Sequence, residues 1–296
     1  MEGTFIFIIL LFRVVQAFFH KRSSNGIKNI TMLIGYNAYT YGISAVLALL
    51  LILLTEAGFQ INLLTILFAT VSGLAFFFAT FCSVNAMKSG TVGLDSMFGT
   101  AGMIIPILAG VFLFNKQVAP MQYMGLVVFF VSAYLLINAS KTVYSNFSYK
   151  TLLFLIGSMV SNGCTMLAQQ MFTTYVPDGD VSVFSFLSFA IIAALSAIFY
   201  GSLVTTGKPE KGTVRLSKQL LVCGVALATA VFVINQLATI CTRTVPPAIL
   251  FTFICGGGTI ISTIVAALVY KEKITRKSAI GIVLGIVSLV IIKVFE

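Results

Sequence analysis

Ten apolar stretches, each about 18 to 26 residues long, fill at least two thirds of this chain and decide what it can fold into. An α-helix needs roughly 20 apolar residues to cross a hydrocarbon core of about 30 Å, and each stretch is near that length. They predict helices over 3–20, 31–54, 62–87, 91–114, 119–138, 150–172, 181–204, 217–241, 246–270 and 277–294. A membrane β-barrel would instead show segments of about ten residues alternating apolar and polar, and the Leu-, Ile- and Phe-filled runs lack that alternation. With 59% hydrophobic and 9% charged residues among 296, apolar side chains exceed what one soluble core can hide. An all-α membrane protein with short loops and no separate soluble domain is expected.

Charge and cysteine usage agree with that class. A net charge of +10 would suggest nucleic acid in a soluble protein, but here Lys and Arg sit in short loops beside the spans, so the lipid bilayer is the expected partner and nucleic acid is not. The loops after the odd-numbered helices hold fourteen basic residues, among them Lys21, Arg22, Lys28, Lys208, Lys211 and Arg215, whereas the other side holds Lys116, Arg243 and Lys293. Under the positive-inside rule this bias predicts a multi-pass protein of the cell membrane with both termini outside the cytoplasm. Cys82, Cys164, Cys223, Cys241 and Cys255 lie in or at the ends of apolar runs with no close pair, so neither a disulfide framework nor a metal site is expected. The start, Met1-Glu2-Gly3 with Arg13 inside the first apolar run, does not read as a cleaved signal peptide.

A shift of 156 residues aligns helices three to five with eight to ten without a gap, pairing Gly102 with Gly258, Gly125 with Gly281, and Val131-Ser132 with Val287-Ser288. The punctuation matches as well: Asn115-Lys116-Gln117-Val118 falls on Lys271-Glu272-Lys273-Ile274, each opening a final helix. Two five-helix repeats are predicted, 1–140 and 141–296. An odd number of crossings per repeat inserts them with opposite orientation, the arrangement common in secondary transporters, with a substrate site near the bilayer midplane between halves.

Val269-Tyr270-Lys271-Glu272-Lys273-Ile274-Thr275 running into Ile280-Gly281-Ile282-Val283-Leu284-Gly285-Ile286 resembles the drug/metabolite transporter superfamily, in particular its ten-helix bacterial branch with two EamA-type repeats. The resemblance covers the whole chain. The first repeat departs from it, with Asn115-Lys116-Gln117 where the family commonly has an acidic residue and Thr55-Glu56-Ala57 where a more basic loop is common. What the resemblance implies is movement of a metabolite or drug across the membrane, with efflux preferred over uptake.

Candidate site residues follow from polarity inside apolar helices. Arg13 lies near the middle of helix one, where insertion scales place a charge at roughly 2.5 to 3.5 kcal/mol unfavourable, so it is expected to face the protein interior. It either holds an anionic substrate group or serves in structural pairing or snorkelling. Gln16 shares its face, and Asn162, Thr165 and Gln169 give helix six a similar stripe. The repeat register sets Ala79-Thr80 on Asn235-Gln236 and Ser83 on Thr239, which makes Asn235 and Gln236 further candidates. These polar faces fit either a cavity or interhelical bonds that only hold the bundle together. Asp95, near the start of helix four, can bind a coupling proton, partner a cation, or simply begin a helix at the interface. Gly99 and Gly102 in helix four and Gly256, Gly257 and Gly258 in helix nine suit close packing or gating, and Pro106 can bend helix four.

Other activities lack their equipment in this sequence. No Gly-rich phosphate loop with Lys-Ser or Lys-Thr is present, so ATP hydrolysis and a nucleotide cofactor are not expected. A membrane-embedded enzyme needs convergent acids, bases or metal ligands, whereas His20 is the sole histidine and no helix carries paired carboxylates. The expectation is a non-enzymatic transporter of a small molecule without cofactor or metal, the alternatives being a flippase for a lipid-linked head group or a non-transporting membrane subunit.

Overall fold

A computed structural model describes residues 2–55, 61–89, 92–113, 119–141, 149–205, 216–270 and 275–294. Among them every regular element is a helix: α1 (Glu2–Gly26), α2 (Ile30–Leu54), α3 (Leu63–Ser89), α4 (Val92–Ala101), α5 (Ile104–Phe112), α6 (Pro120–Lys141), α7 (Tyr149–Tyr175), α8 (Val181–Thr205), α9 (Lys218–Cys241), α10 (Pro247–Phe251), a π-helical segment (Thr252–Gly256), α11 (Gly257–Tyr270) and α12 (Arg276–Val294). Six of these, α1, α2, α3, α7, α8 and α9, are long and apolar enough to cross a membrane. Shorter apolar helices complete the bundle. The motifs Asn115-Lys116-Gln117-Val118 and Lys271-Glu272-Lys273-Ile274 lie outside the described residues.

Helices four and nine, each predicted as a single span with Pro106 able to bend helix four, are both interrupted. Helix four is interrupted at Gly102 and Met103, just before Pro106. Proline has no N–H to give the carbonyl four residues back, and the Gly102 carbonyl accepts from Ile105 instead, at 3.1 Å, while Met103 N–H reaches Thr100 at 3.0 Å. These tighter bonds turn the chain between α4 and α5. Helix nine is interrupted by the wider π turn of Thr252–Gly256, a local insertion into helical winding that often marks a functional site. The expected linker from His20 to Ile30 is largely helical, since α1 continues to Gly26. Asn29 then caps α2 through its side chain, which accepts from Met32 N–H at 2.8 Å.

Helix α7 packs on α3, α8 on α2, α12 on α6 and α9 on α1, with α4 and α5 against α7 and the π segment and α11 against α1. Small residues permit the closest of these approaches. A Cβ on Gly102 would sit 2.5 Å from the Met159 carbonyl oxygen and 2.9 Å from the Gly163 nitrogen, so only glycine fits between these backbones.

Polarity is distributed inside out relative to a soluble protein. Leu54, Leu63, Phe112 and Leu268 face outward, as do many other large apolar residues, whereas Ser44, Ser72, Gln170, Ser185 and Thr239 have no exposed surface. Burying a Leu or Phe from water is worth about 1.5–3 kcal/mol, so such a surface calls for lipid around it. The long apolar helices and this apolar exterior define a multi-pass helical membrane protein.

Candidate functional site

The polar interior opens into a cavity of about 280 Å³ bounded by α1, α2, α3, α4, α7, α9 and α11. It extends from the middle of the bundle toward the end where α1 gives way to α2, reaching Ser24 and Ile27.

Arg13 and Gln16 enter from α1, and the Arg13 Nη1 group donates to Gln16 Oε1 at 2.8 Å. The Arg13 Nε group is buried with no hydrogen-bond partner. Gly258 of α11 lies beside the side chain, where a Cβ would stand 3.4 Å from Arg13 Cδ. From α2 come Tyr36, Asn37, Thr40 and Tyr41, and the hydroxyls of Tyr36 and Thr40 are buried.

Ala79, Thr80 and Ser83 of α3 and Asp95 and Gly99 of α4 form the next wall. The Ser83 hydroxyl donates to Asp95 Oδ2, while Oδ1 is enclosed, with Ser158 of α7 beside the carboxylate. Asn162 of α7 faces Gly99 and donates its amide N–H to the Ser158 carbonyl at 2.9 Å. Where α4 crosses α11, the Thr100 and Thr259 hydroxyls are 2.5 Å apart and share a hydrogen bond, and the one that accepts it can donate to the Cys255 carbonyl, which lies 3.3 Å from Thr100 and 3.1 Å from Thr259.

Of the residues expected from sequence, the structure therefore gathers Arg13, Gln16, Asn162, Asp95, Gly99 and Gly258 around one cavity. Gln169, Asn235 and Gln236 do not line it. They build a buried network between α7, α8 and α9: Gln169 Nε2 donates to Asn235 Oδ1 at 2.6 Å, Ser185 Oγ to Gln236 Oε1 at 2.8 Å, and Gln236 Nε2 to Ser182 Oγ at 2.9 Å. Asn235 Nδ2 reaches Ser185 Oγ at 3.4 Å. Beyond it Thr173 bonds Thr242 at 3.1 Å, and Arg243 donates to the Gly179 carbonyl.

This end of the bundle is also filled with apolar side chains. One cluster includes Ile9, Ile234, Cys241, Val245 and Leu250; another includes Phe68, Phe172 and Phe184, the last two stacked at 4.5 Å. Gly102, Pro106, Gly256 and Gly257 shape the interrupted helices outside the cavity lining.

Sequence reasoning missed the α2 wall and the place of His20 in the lining. The signal was present, because Tyr36, Asn37, Thr40 and Tyr41 repeat at helical spacing along one face of an otherwise apolar helix.

No family model matches the chain, and no curated protein matches it. Among solved structures, a crystal structure whose description states no function superimposes with a TM-score of 0.76 at 14% identity, covering 99% of this chain and 96% of that one. That likeness extends over the whole length and establishes a shared fold.

Proposed function

We propose that the chain is a secondary transporter of the drug/metabolite type that its sequence resembles, exporting a small metabolite or drug by alternating access. The observation that carries this reading is a contrast between two register-equivalent parts of the interior. Ala79, Thr80 and Ser83 line the cavity, whereas their partners at a shift of 156, Asn235, Gln236 and Thr239, are shut inside hydrogen-bonded packing. One end open and its counterpart closed is what an alternating-access cycle needs, each half exchanging roles with the other.

The packing pattern supports two halves. Taking α4 with α5 as one broken crossing, and α10, the π segment and α11 as another, gives ten crossings in two sets of five, 1–140 and 141–296. Exchanging each crossing with its equivalent in the other set turns the α1 and α9 pair into the α7 and α3 pair, and returns α2 with α8 and α6 with α12 to themselves. Five crossings per set make the repeats inverted, with broken helices beside the central site.

The cavity reaches toward the end bearing the basic α1–α2 loop. The positive-inside rule makes that end cytoplasmic in the cell membrane and both termini external, so loading from the cytoplasm and release outside is the favoured direction. Asp95, a buried carboxylate in the wall of the cavity, is the group positioned to exchange a coupling proton.

Purified protein in liposomes loaded with a cell metabolite extract tests the reading. Selective loss of particular compounds, reduced in an equally reconstituted Arg13→Ala variant, is expected. Retention of every compound would overturn transport, and a C-terminal reporter found in the cytoplasm would overturn the orientation.

A further inference from the structure

Among the described residues, Gln170 of α7 has no exposed surface, and neither its amide oxygen nor its amide nitrogen has a hydrogen-bond partner. Burying an amide in this way is costly. Its neighbour Gln169 avoids the cost by bonding Asn235 of α9, whereas Gln170 points at α5, where a Cβ on Gly110 would stand 3.6 Å from its Nε2. A buried polar group that the fold does not satisfy calls for an explanation, and strain held for a functional step is one.

The place of Gln170 relative to the cavity indicates which step. Asn162, Met166 and Gln170 follow one another at four-residue spacing and share a face of α7. The first two line the cavity, and Gln170 lies one turn beyond Met166, a rise of about 6 Å toward the closed end. Met166 packs there against an apolar cluster that includes Met103, Ile107, Phe129 and Phe251, none of which lines the cavity.

The seam between α5 and α7 is tight at one end and unfastened at the other. At the end of α4 the two chains meet backbone to backbone, so that a Cβ on Gly163 would stand 2.5 Å from the Gly102 carbonyl oxygen. The helix is interrupted at that same point, Gly102 and Met103, before α5 begins. Farther out, at Gly110, the separation is that of ordinary contact and Gln170 makes no bond across it. A helix break beside a tight contact can serve as a hinge, and α5 beyond it carries Ile107 of the cluster that covers Met166.

We propose that the cavity opens to the far side along the seam between α5 and α7, with α5 turning at the Gly102–Met103 break, and that Gln170 is the polar group lining this exit. The inference rests on the transport reading above and names the path and the residue by which its far-side state is reached. In that state the amide meets water or the passing substrate, so the cost of burying it falls on the closed arrangement alone and favours opening.

Two labelling measurements on the purified full chain in vesicles test this. With the native cysteines replaced, Gln170→Cys is expected to react with an impermeant maleimide supplied at the far side, and Ala168→Cys, buried on the opposite face of α7, is expected to stay unreactive. No reaction at position 170, or equal reaction at position 168, overturns the proposal.

The second measurement keeps Cys255 as the sole cysteine and adds Gln170→Leu, which fills a similar space without polar atoms. The melting temperature is expected to rise, far-side labelling of Cys255 to slow about fivefold or more, and near-side labelling to keep its rate. A lower melting temperature overturns the proposal, because it shows the amide to be satisfied in the closed arrangement. Far-side labelling that Gln170→Leu leaves unchanged removes this exit and keeps alternating access, whereas a Cys255 that never reacts from the far side, with Gln170 in place, overturns alternating access itself.

Discussion

Replacing Ser185 by alanine asks whether the network between α7, α8 and α9 is a gate or a permanent fastening. Ser185 is fully buried, and its hydroxyl both donates to Gln236 at 2.8 Å and accepts from Asn235 at 3.4 Å. The first bond has ordinary length and the second is long. Interhelical hydrogen bonds in membranes average about 0.6 kcal/mol and reach about 1.7, while a buried acceptor left unsatisfied costs about 1–3 kcal/mol. The closed arrangement should therefore lose about 1–2 kcal/mol. If the network parts in the opposite state, that loss falls on the closed state alone and shifts the population about 5- to 30-fold. Cys241, 1% exposed within the neighbouring apolar plug, is a native reporter. With Cys82, Cys164, Cys223 and Cys255 replaced, its labelling by an impermeant maleimide should accelerate by a factor in that range in Ser185→Ala. Unchanged labelling together with a lower melting temperature would show that the bonds persist in every state and would refute the gate.

Three further outcomes follow from the same contacts. Gly102→Ala forces a methyl against the Met159 and Gly163 backbones, so thermal unfolding in detergent should show a loss of at least about 1–3 kcal/mol; an unchanged midpoint would contradict the packing. Ser196→Ala removes a buried hydroxyl that has no hydrogen-bond partner, and should leave the midpoint the same or slightly higher; a marked drop would reveal a missing partner. Asp95→Asn deletes the carboxylate facing the cavity, and transport by this variant should no longer respond to an imposed proton gradient; a persisting response would place coupling elsewhere.

Helix positions were legible in the sequence because lipid imposes length and apolarity together, and the long helices fall where apolar runs were found. The interruptions were only partly legible. Pro106 announced a bend, but the π turn over Thr252–Gly256 has no proline, only Gly256 at its end, and it packs against α1, α4 and α12. Arg13, Gln16 and Asp95 could be read as inward-facing because charge and amide groups avoid lipid.

The division of labour among polar residues could not be read. Gln169 shares the α7 stripe with Asn162, yet lies two turns farther along, where the Asn235 amide of α9 supplies a partner rather than open space. Composition of one helix does not reveal which neighbour faces it. The α2 wall was missed for a related reason: Tyr36 and Tyr41 count as apolar in a hydropathy reading although their hydroxyls point to a polar function.

The central claim is that one cavity is offered alternately to the two sides of the membrane, and Cys255 reports on it directly because it lines that cavity. In a variant with the other four cysteines replaced, reconstituted in vesicles, impermeant thiol reagents would be supplied from one side and then the other. The account predicts reaction from both sides, faster from the α1–α2 end, with Ser185→Ala raising the rate at the far side while lowering it at the near side. Reaction from one side alone in both proteins, or rates that rise together on both sides as in an open channel, would contradict it.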